Sequence, residues 1–225
     1  TDQAAGFVLH HRDHRRRLDH AQTDQGAIGL PECVDELAIE IDVRMIDGVL
    51  YAAHSDPPDA VPKSLLELPT LAEAWTYTAP AEVLKLDFKS TDQSALDALT
   101  KFIQKNPTDR QILIDSKDPN VLLYFESALP NTVGFYSVMN ANEIDDLLSK
   151  PNRPAGIDGV TAPISLLTKE RIQLLRARGY YIDAWSVNDV ARMAELVSYG
   201  VDIITTDNLA FFEMQVATPV VADHA

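Results

Sequence analysis

The sequence is short of thiols, of positive charge and of long apolar runs, and each shortage excludes a class of function. One cysteine, Cys33, leaves no partner for an intramolecular disulfide and no basis for a thiolate zinc cluster. Nineteen lysines and arginines face 34 acids, a net charge of −15, which argues against nucleic acid or an anionic membrane as a general partner. No run of about eighteen apolar residues occurs, so no segment is expected to span a membrane. No glycine-rich GxGxxG or P-loop follows any strand-like run, which disfavours a nucleotide-binding sheet. The chain opens at Thr1 without a methionine or an apolar signal core, so a processed or trimmed form is expected. Its end, "VATPVVADHA", reads as a loose tail.

What is present is alternation. Short β-branched runs at 6–11, 37–43, 83–88, 111–116, 132–138, 156–160, 180–187 and 201–206 are separated by stretches with apolar spacings of three and four. Those stretches include "QSALDALTKFIQKN", "PNVLLYFESAL", "TKERIQLLRARG" and "VNDVARMAELVSYG", the last two ending on the expected C-terminal stops Gly179 and Gly200. Strand–helix alternation carried to eight strands predicts a (β/α)8 TIM barrel in a single domain, with its core at about 7–210 and 211–225 as a C-terminal extension. Asp47-Gly48 is a strong turn signal, so "DGVLYAAHSD" predicts an extra hairpin strand after the second one.

In such a barrel the chemistry sits at the C-terminal ends of the strands. Those ends supply His10, His11 and Arg12 after the first strand, Glu40 and Asp42 on the second, and His54 after the hairpin. Asp87 and Lys89 lie on 83–89, Trp185 and Asn188 near 185–188, and Asp207 after the last strand. Glu40, Asp42 and Asp87 would repel one another unless a cation held them. Oxygen ligands without thiols select Mg²⁺ or Ca²⁺. Histidines beside such a cation suit general acid and base work near neutral pH, and Arg12 and Lys89 would add positive charge for an anion. A metal, paired histidines and a basic clamp together describe phosphodiester cleavage.

These residues also carry a family resemblance. His11-Arg12, the acid–x–acid pair Glu40 and Asp42, Asp47-Gly48, His54 with Asp56, the Asp87/Lys89 pair, "WSVN" at 185–188 and Thr206-Asp207 follow one another in order. In this the chain resembles the glycerophosphodiester phosphodiesterases, within the wider phospholipase-C-like phosphodiesterases, over about residues 7 to 210. It departs from them after the histidine–arginine pair, where "HRDHRRRLDHAQ" replaces the family's PENT segment. It departs again at Asp87, where an aspartate in "LDFK" is closer to sphingomyelinase-D-like and menorin-like proteins. An alignment through those relatives would put His10 in place of His11.

The resemblance implies one divalent cation on Glu40, Asp42 and Asp87, with His11 (or His10) and His54 as acid and base. It implies a small-molecule or lipid phosphodiester substrate contacted by Arg12, Lys89, Trp185 and Asn188. Two other functions stay open: an inactive barrel acting as a binding module, and a sugar-phosphate enzyme using Lys85 or Lys89 as a Schiff base. Compartment, oligomeric state, and hydrolysis versus cyclic-phosphate formation are left open by the sequence.

Overall fold

A computed structural model describes residues 5–10, 36–54 and 68–207, with side chains over 38–54 and 68–207. The strands are β1 (Ala5–His10), β2 (Glu36–Ile46), β3 (Val49–Ala52), β4 (Val83–Phe88), β5 (Gln111–Ser116), β6 (Val133–Ser137), β7 (Gly159–Pro163), β8 (Tyr181–Trp185) and β9 (Ile203–Thr206). The helices are α1 (Leu71–Tyr77), α2 (Gln93–Lys105), α3 (Pro119–Ala128), α4 (Ala141–Ser149), α5 (Lys169–Ala177) and α6 (Val190–Tyr199). From β4 to β9 every strand is followed or preceded by a helix, as the periodicity predicts.

Each helix starts on a residue able to receive an orphan backbone N–H: Thr70, Asp92, Asp118, Asn140, Thr168 and Asp189. Thr70 with Glu73, and Asn140 with Glu143, complete reciprocal capping boxes. Gly200 ends α6 in the left-handed region at φ 100°, the stop expected there. In α5 the cap itself is Arg178, and Gly179 follows it.

The strands form one sheet in the order β1-β9-β8-β7-β6-β5-β4-β2-β3, and β1 also pairs with β2. Because β1 touches both β2 and β9, the eight strands other than β3 close into a ring. The neighbouring pairs from β2 through β9 are parallel. The expected hairpin is present: β3 folds back on β2 through Asp47 and Gly48, which have φ of 49° and 81°.

Two details differ from expectation. The strand expected at 156–160 is shifted: β7 is Gly159–Pro163, and pairing begins at Gly159. Gly156 turns instead, at φ 77°, and its carbonyl lies where a Cβ on Gly134 would stand, at 2.0 Å. The chain needs that close crossing before it can enter the sheet. The second difference is direction. β1 runs antiparallel to both neighbours, with His10 opposite Glu36 and Ile203, the starting ends of β2 and β9.

The helices bury one face each against the outside of the ring. Leu96 and Leu99 of α2, Leu122 and Phe125 of α3, Ile172 and Leu175 of α5, and Leu196 of α6 pack with Ile41, Leu84, Leu86, Ile114 and Ile182 of the strands. A smaller cluster of Ala38, Val83, Leu113, Phe135 and Ile203 fills the inside of the ring near the strand starts. Above it the inward positions turn polar, because strand residues alternate sides: Glu40 and Asp42 follow Ala38, Lys85 and Asp87 follow Val83, and Asp115 follows Leu113.

Candidate active site

Two lysines organise the polar interior. Lys85, on β4 beside Glu40 of β2, is fully buried. Its ammonium lies 3.0 Å from Glu40 Oε2 and 3.0 Å from Asp115 Oδ2, and it donates to Asp183 Oδ2. Asp183 is fixed in turn by the hydroxyls of Thr161 at 2.8 Å and Thr205 at 3.0 Å. Burial alone would lower the Lys85 pKa; the charges of Asp183, Glu40 and Asp115 outweigh it and hold the group well above the ordinary lysine range.

Three carboxylates around one ammonium leave excess negative charge in a dry interior, which is costly unless a proton is retained. Burial drives Asp115 well above the usual carboxylate range; Lys85 opposes that rise, while Asp87 and Glu40 add to it. Asp115 Oδ1 is also buried with no hydrogen-bond partner among the described residues. Burial raises Glu40 as well, with Lys85 pulling it down and the charges of Asp183 and Asp87 pushing it up.

One turn of the pleat further, at the C-terminal rim, a second group forms. Register sets Asp42 of β2 directly beside Asp87 of β4. Glu40, Asp42 and Asp87 each offer a carboxylate oxygen, all within 4.8 Å of one another. Like charges this close need a cation. Lys89 supplies one here: its ammonium lies 2.9 Å from Asp42 Oδ1 and bonds Asp87 Oδ2. Burial lowers the Lys89 pKa, but the Asp87 and Asp42 charges raise it above the ordinary lysine value. One ammonium still leaves the trio net negative. An all-oxygen donor set of this charge fits a hard divalent cation.

His54 lies on the same rim. The Ala53 N–H donates to the Asp42 carbonyl at 2.9 Å, and Arg44 Nη2 donates to the His54 carbonyl at 3.1 Å. Arg44 therefore orients the hairpin end, whereas the salt bridges of Glu40 and Asp42 go to Lys85 and Lys89. Trp185 is half-buried at the end of β8. Asn188 spans two strand ends: its Oδ1 accepts from Thr206 Oγ1 at 2.9 Å and from the Asp207 N–H at 3.0 Å. Asn188 thus ties the β8–α6 loop to the end of β9, and Asp189 caps α6.

The predicted residues Glu40, Asp42, Asp87 and Lys89 thus come together, and His54 lies at the end of the hairpin strand beside them in the sheet. His11 and Arg12 lie outside the described residues, as do Cys33 and Asp56. The backbone of His10 ends β1 at the rim opposite Asp42 and Asp87, because that strand runs antiparallel rather than parallel. Lys85, Asp115 and Asp183 were not anticipated as one cluster. Their signal was an acid or base at an alternate position in "VLKLDF", "QILIDS" and "YYIDAW", each a charge on what had to be the inner face.

Known proteins bear on this site at two levels. A phosphodiesterase from Oleispira antarctica, solved with the product sn-glycerol-3-phosphate, superposes with a TM-score of 0.64 at 18% identity, over 80% of this chain and 84% of that one. A glycerophosphodiester phosphodiesterase from Parabacteroides distasonis gives 0.61 at 20% identity, over 79% and 82%. A putative glycerophosphoryl diester phosphodiesterase from Agrobacterium tumefaciens gives 0.65 at 12% identity, over 79% and 84%. At such identities these structures establish the barrel fold alone. Among curated proteins, none matches this chain.

The family model of the glycerophosphoryl diester phosphodiesterases matches residues 71–210, taking in Asp87, Lys89, Trp185 and Asn188 but starting after Glu40, Asp42 and His54. Covering well over half of the sequence, that match means that the chain belongs to the glycerophosphoryl diester phosphodiesterase family and is a phosphodiesterase.

Proposed function

We propose that the protein cleaves a glycerophosphodiester, or a related diester derived from a phospholipid, with one divalent cation and two histidines. The observation that carries this reading is the oxygen trio Glu40, Asp42 and Asp87 at the rim, within 4.8 Å of one another. These residues would hold Mg²⁺ or Ca²⁺, since only carboxylate oxygens are offered. When bound, the cation supplies Lewis-acid polarisation of the phosphoryl oxygens.

The remaining work falls to the chain. Lys89 faces the site and would neutralise a phosphate oxygen, a point charge suited to that role. His54, exposed at the end of the hairpin, would exchange a proton with an alcohol oxygen of the substrate. The second acid/base group is assigned by the family motif alone, to His11 or His10, with Arg12 as a further phosphate contact; the course of β1, which ends at the opposite rim, disagrees with that motif. Trp185 would wall the substrate, and Asn188 would keep its loop tied to β9 beside it. The Oleispira antarctica enzyme's product, sn-glycerol-3-phosphate, supports a small glycerol-containing substrate.

Phosphorus NMR tests the reading directly. Glycerophosphocholine, lysophosphatidylcholine and sphingomyelin, each with Mg²⁺ or Ca²⁺, should yield a monoester or cyclic phosphate for at least the first. Chelator should stop the reaction, and His54→Ala should slow it by about 10²–10⁴-fold. Turnover that survives both chelator and His54→Ala would refute the mechanism.

A further inference from the structure

Lys89 does more than line the site: its ammonium stands between Asp42 and Asp87, on two of the three carboxylates that form the cation trio. The same oxygens cannot serve an ammonium and a hard cation equally. Lys89 is four residues from Lys85 on the same face, yet its setting differs, with a side chain 16% exposed against 2% for Lys85. It is anchored at its backbone, where its N–H donates to the Val43 carbonyl at 2.9 Å. The flexible stem beyond that anchor carries the charge.

We infer that Lys89 is a tethered competitor of the divalent cation, holding Asp42 and Asp87 together until the cation enters and the displaced ammonium is received by the substrate's phosphate. Cation and phosphate then favour each other's binding, because the group that one expels is the group that the other needs. This rests on the reading of Glu40, Asp42 and Asp87 as a cation site.

The test is Mg²⁺ calorimetry on the whole chain, as wild type, Lys89→Met and Asp87→Asn, with and without inorganic phosphate. Without phosphate, Lys89→Met should bind Mg²⁺ more tightly than wild type, on the order of tenfold. Phosphate should tighten Mg²⁺ binding in wild type more than in the variant. In chelator, Lys89→Met should melt below wild type, and Mg²⁺ should close the gap. If Lys89→Met does not fold, Lys89→Gln carries the same expectations.

Equal or weaker Mg²⁺ binding by the variant, while Asp87→Asn abolishes binding, would overturn the competition and leave the cation site standing. Binding indifferent to Asp87→Asn, or none at all, would overturn both.

Discussion

Lys85 on β4 and Lys89 just past its end make a natural pair for comparison, two ammonium groups set among carboxylates: Lys85 with Glu40, Asp115 and Asp183, Lys89 with Asp42 and Asp87. Lys85 is enclosed. Its partner Asp183 is itself fixed by Thr161 and Thr205. Lys89 has the same chemistry at the rim, where its partners are also the cation trio. Depth along the barrel turns one arrangement into a lock and the other into an exchangeable contact. Glu40 belongs to both groups, bonded to Lys85 yet within reach of Asp42 and Asp87, so the lock aims a residue of the site.

The largest effect should come from breaking the lock. Lys85→Met leaves Glu40, Asp115 and Asp183 buried without their counter-ion, a loss of about 3–5 kcal/mol. A thermal melt should show a drop of roughly 10 °C or more, or no folded protein. A melt within about 2 °C of wild type would erase the distinction between the two lysines. Asp87→Asn should behave in the opposite way: activity lost on the order of a hundredfold or more, with only a small change in melting temperature. Activity is read by phosphate release from glycerophosphocholine, the fold by circular dichroism.

The smallest effect is a matter of pH. The raised Asp115 pKa means that folding favours the protonated form, so its contribution is full below the ordinary aspartate value of 3.8 and is lost as pH rises through the raised value. Wild-type melting temperature should therefore decline over that interval. Asp115→Asn should flatten the decline and give a melting temperature a few degrees higher than wild type at the alkaline end, at about 2–4 °C per kcal/mol for a chain of this size. An unchanged pH profile would show that Asp115 does not hold the proton.

Much of this was legible in the sequence because it is local. Helix starts are written in Thr70, Asp92, Asn140 and Thr168, and the hairpin in Asp47-Gly48. The carboxylate trio was legible because Glu40 and Asp42 share a strand and Asp87 sits at the equivalent place on another. What stayed hidden depends on lateral register. Nothing in "QILIDS" or "YYIDAW" says that Asp115 and Asp183 meet the same ammonium; that follows only once strands from separate parts of the chain surround one axis. The direction of β1 was hidden for a similar reason. "GFVLHH" reads as a short strand in either direction, so its pattern names a strand but no heading.

That strand also bears on how the molecule assembles. The parallel strands from β4 to β9 each join a neighbour through one intervening helix, so they accrue by short steps along the chain. The join of β1 to β9, with Phe7 facing Thr206, links the two ends of the described chain. Entropy makes such a closure dear at first, but each doubling of loop length adds only about 0.6 kcal/mol. Once the intervening strands are in place the ends are already neighbours, and most of that entropy has been spent. The ring should therefore close late in folding, after the open sheet and its helices have formed.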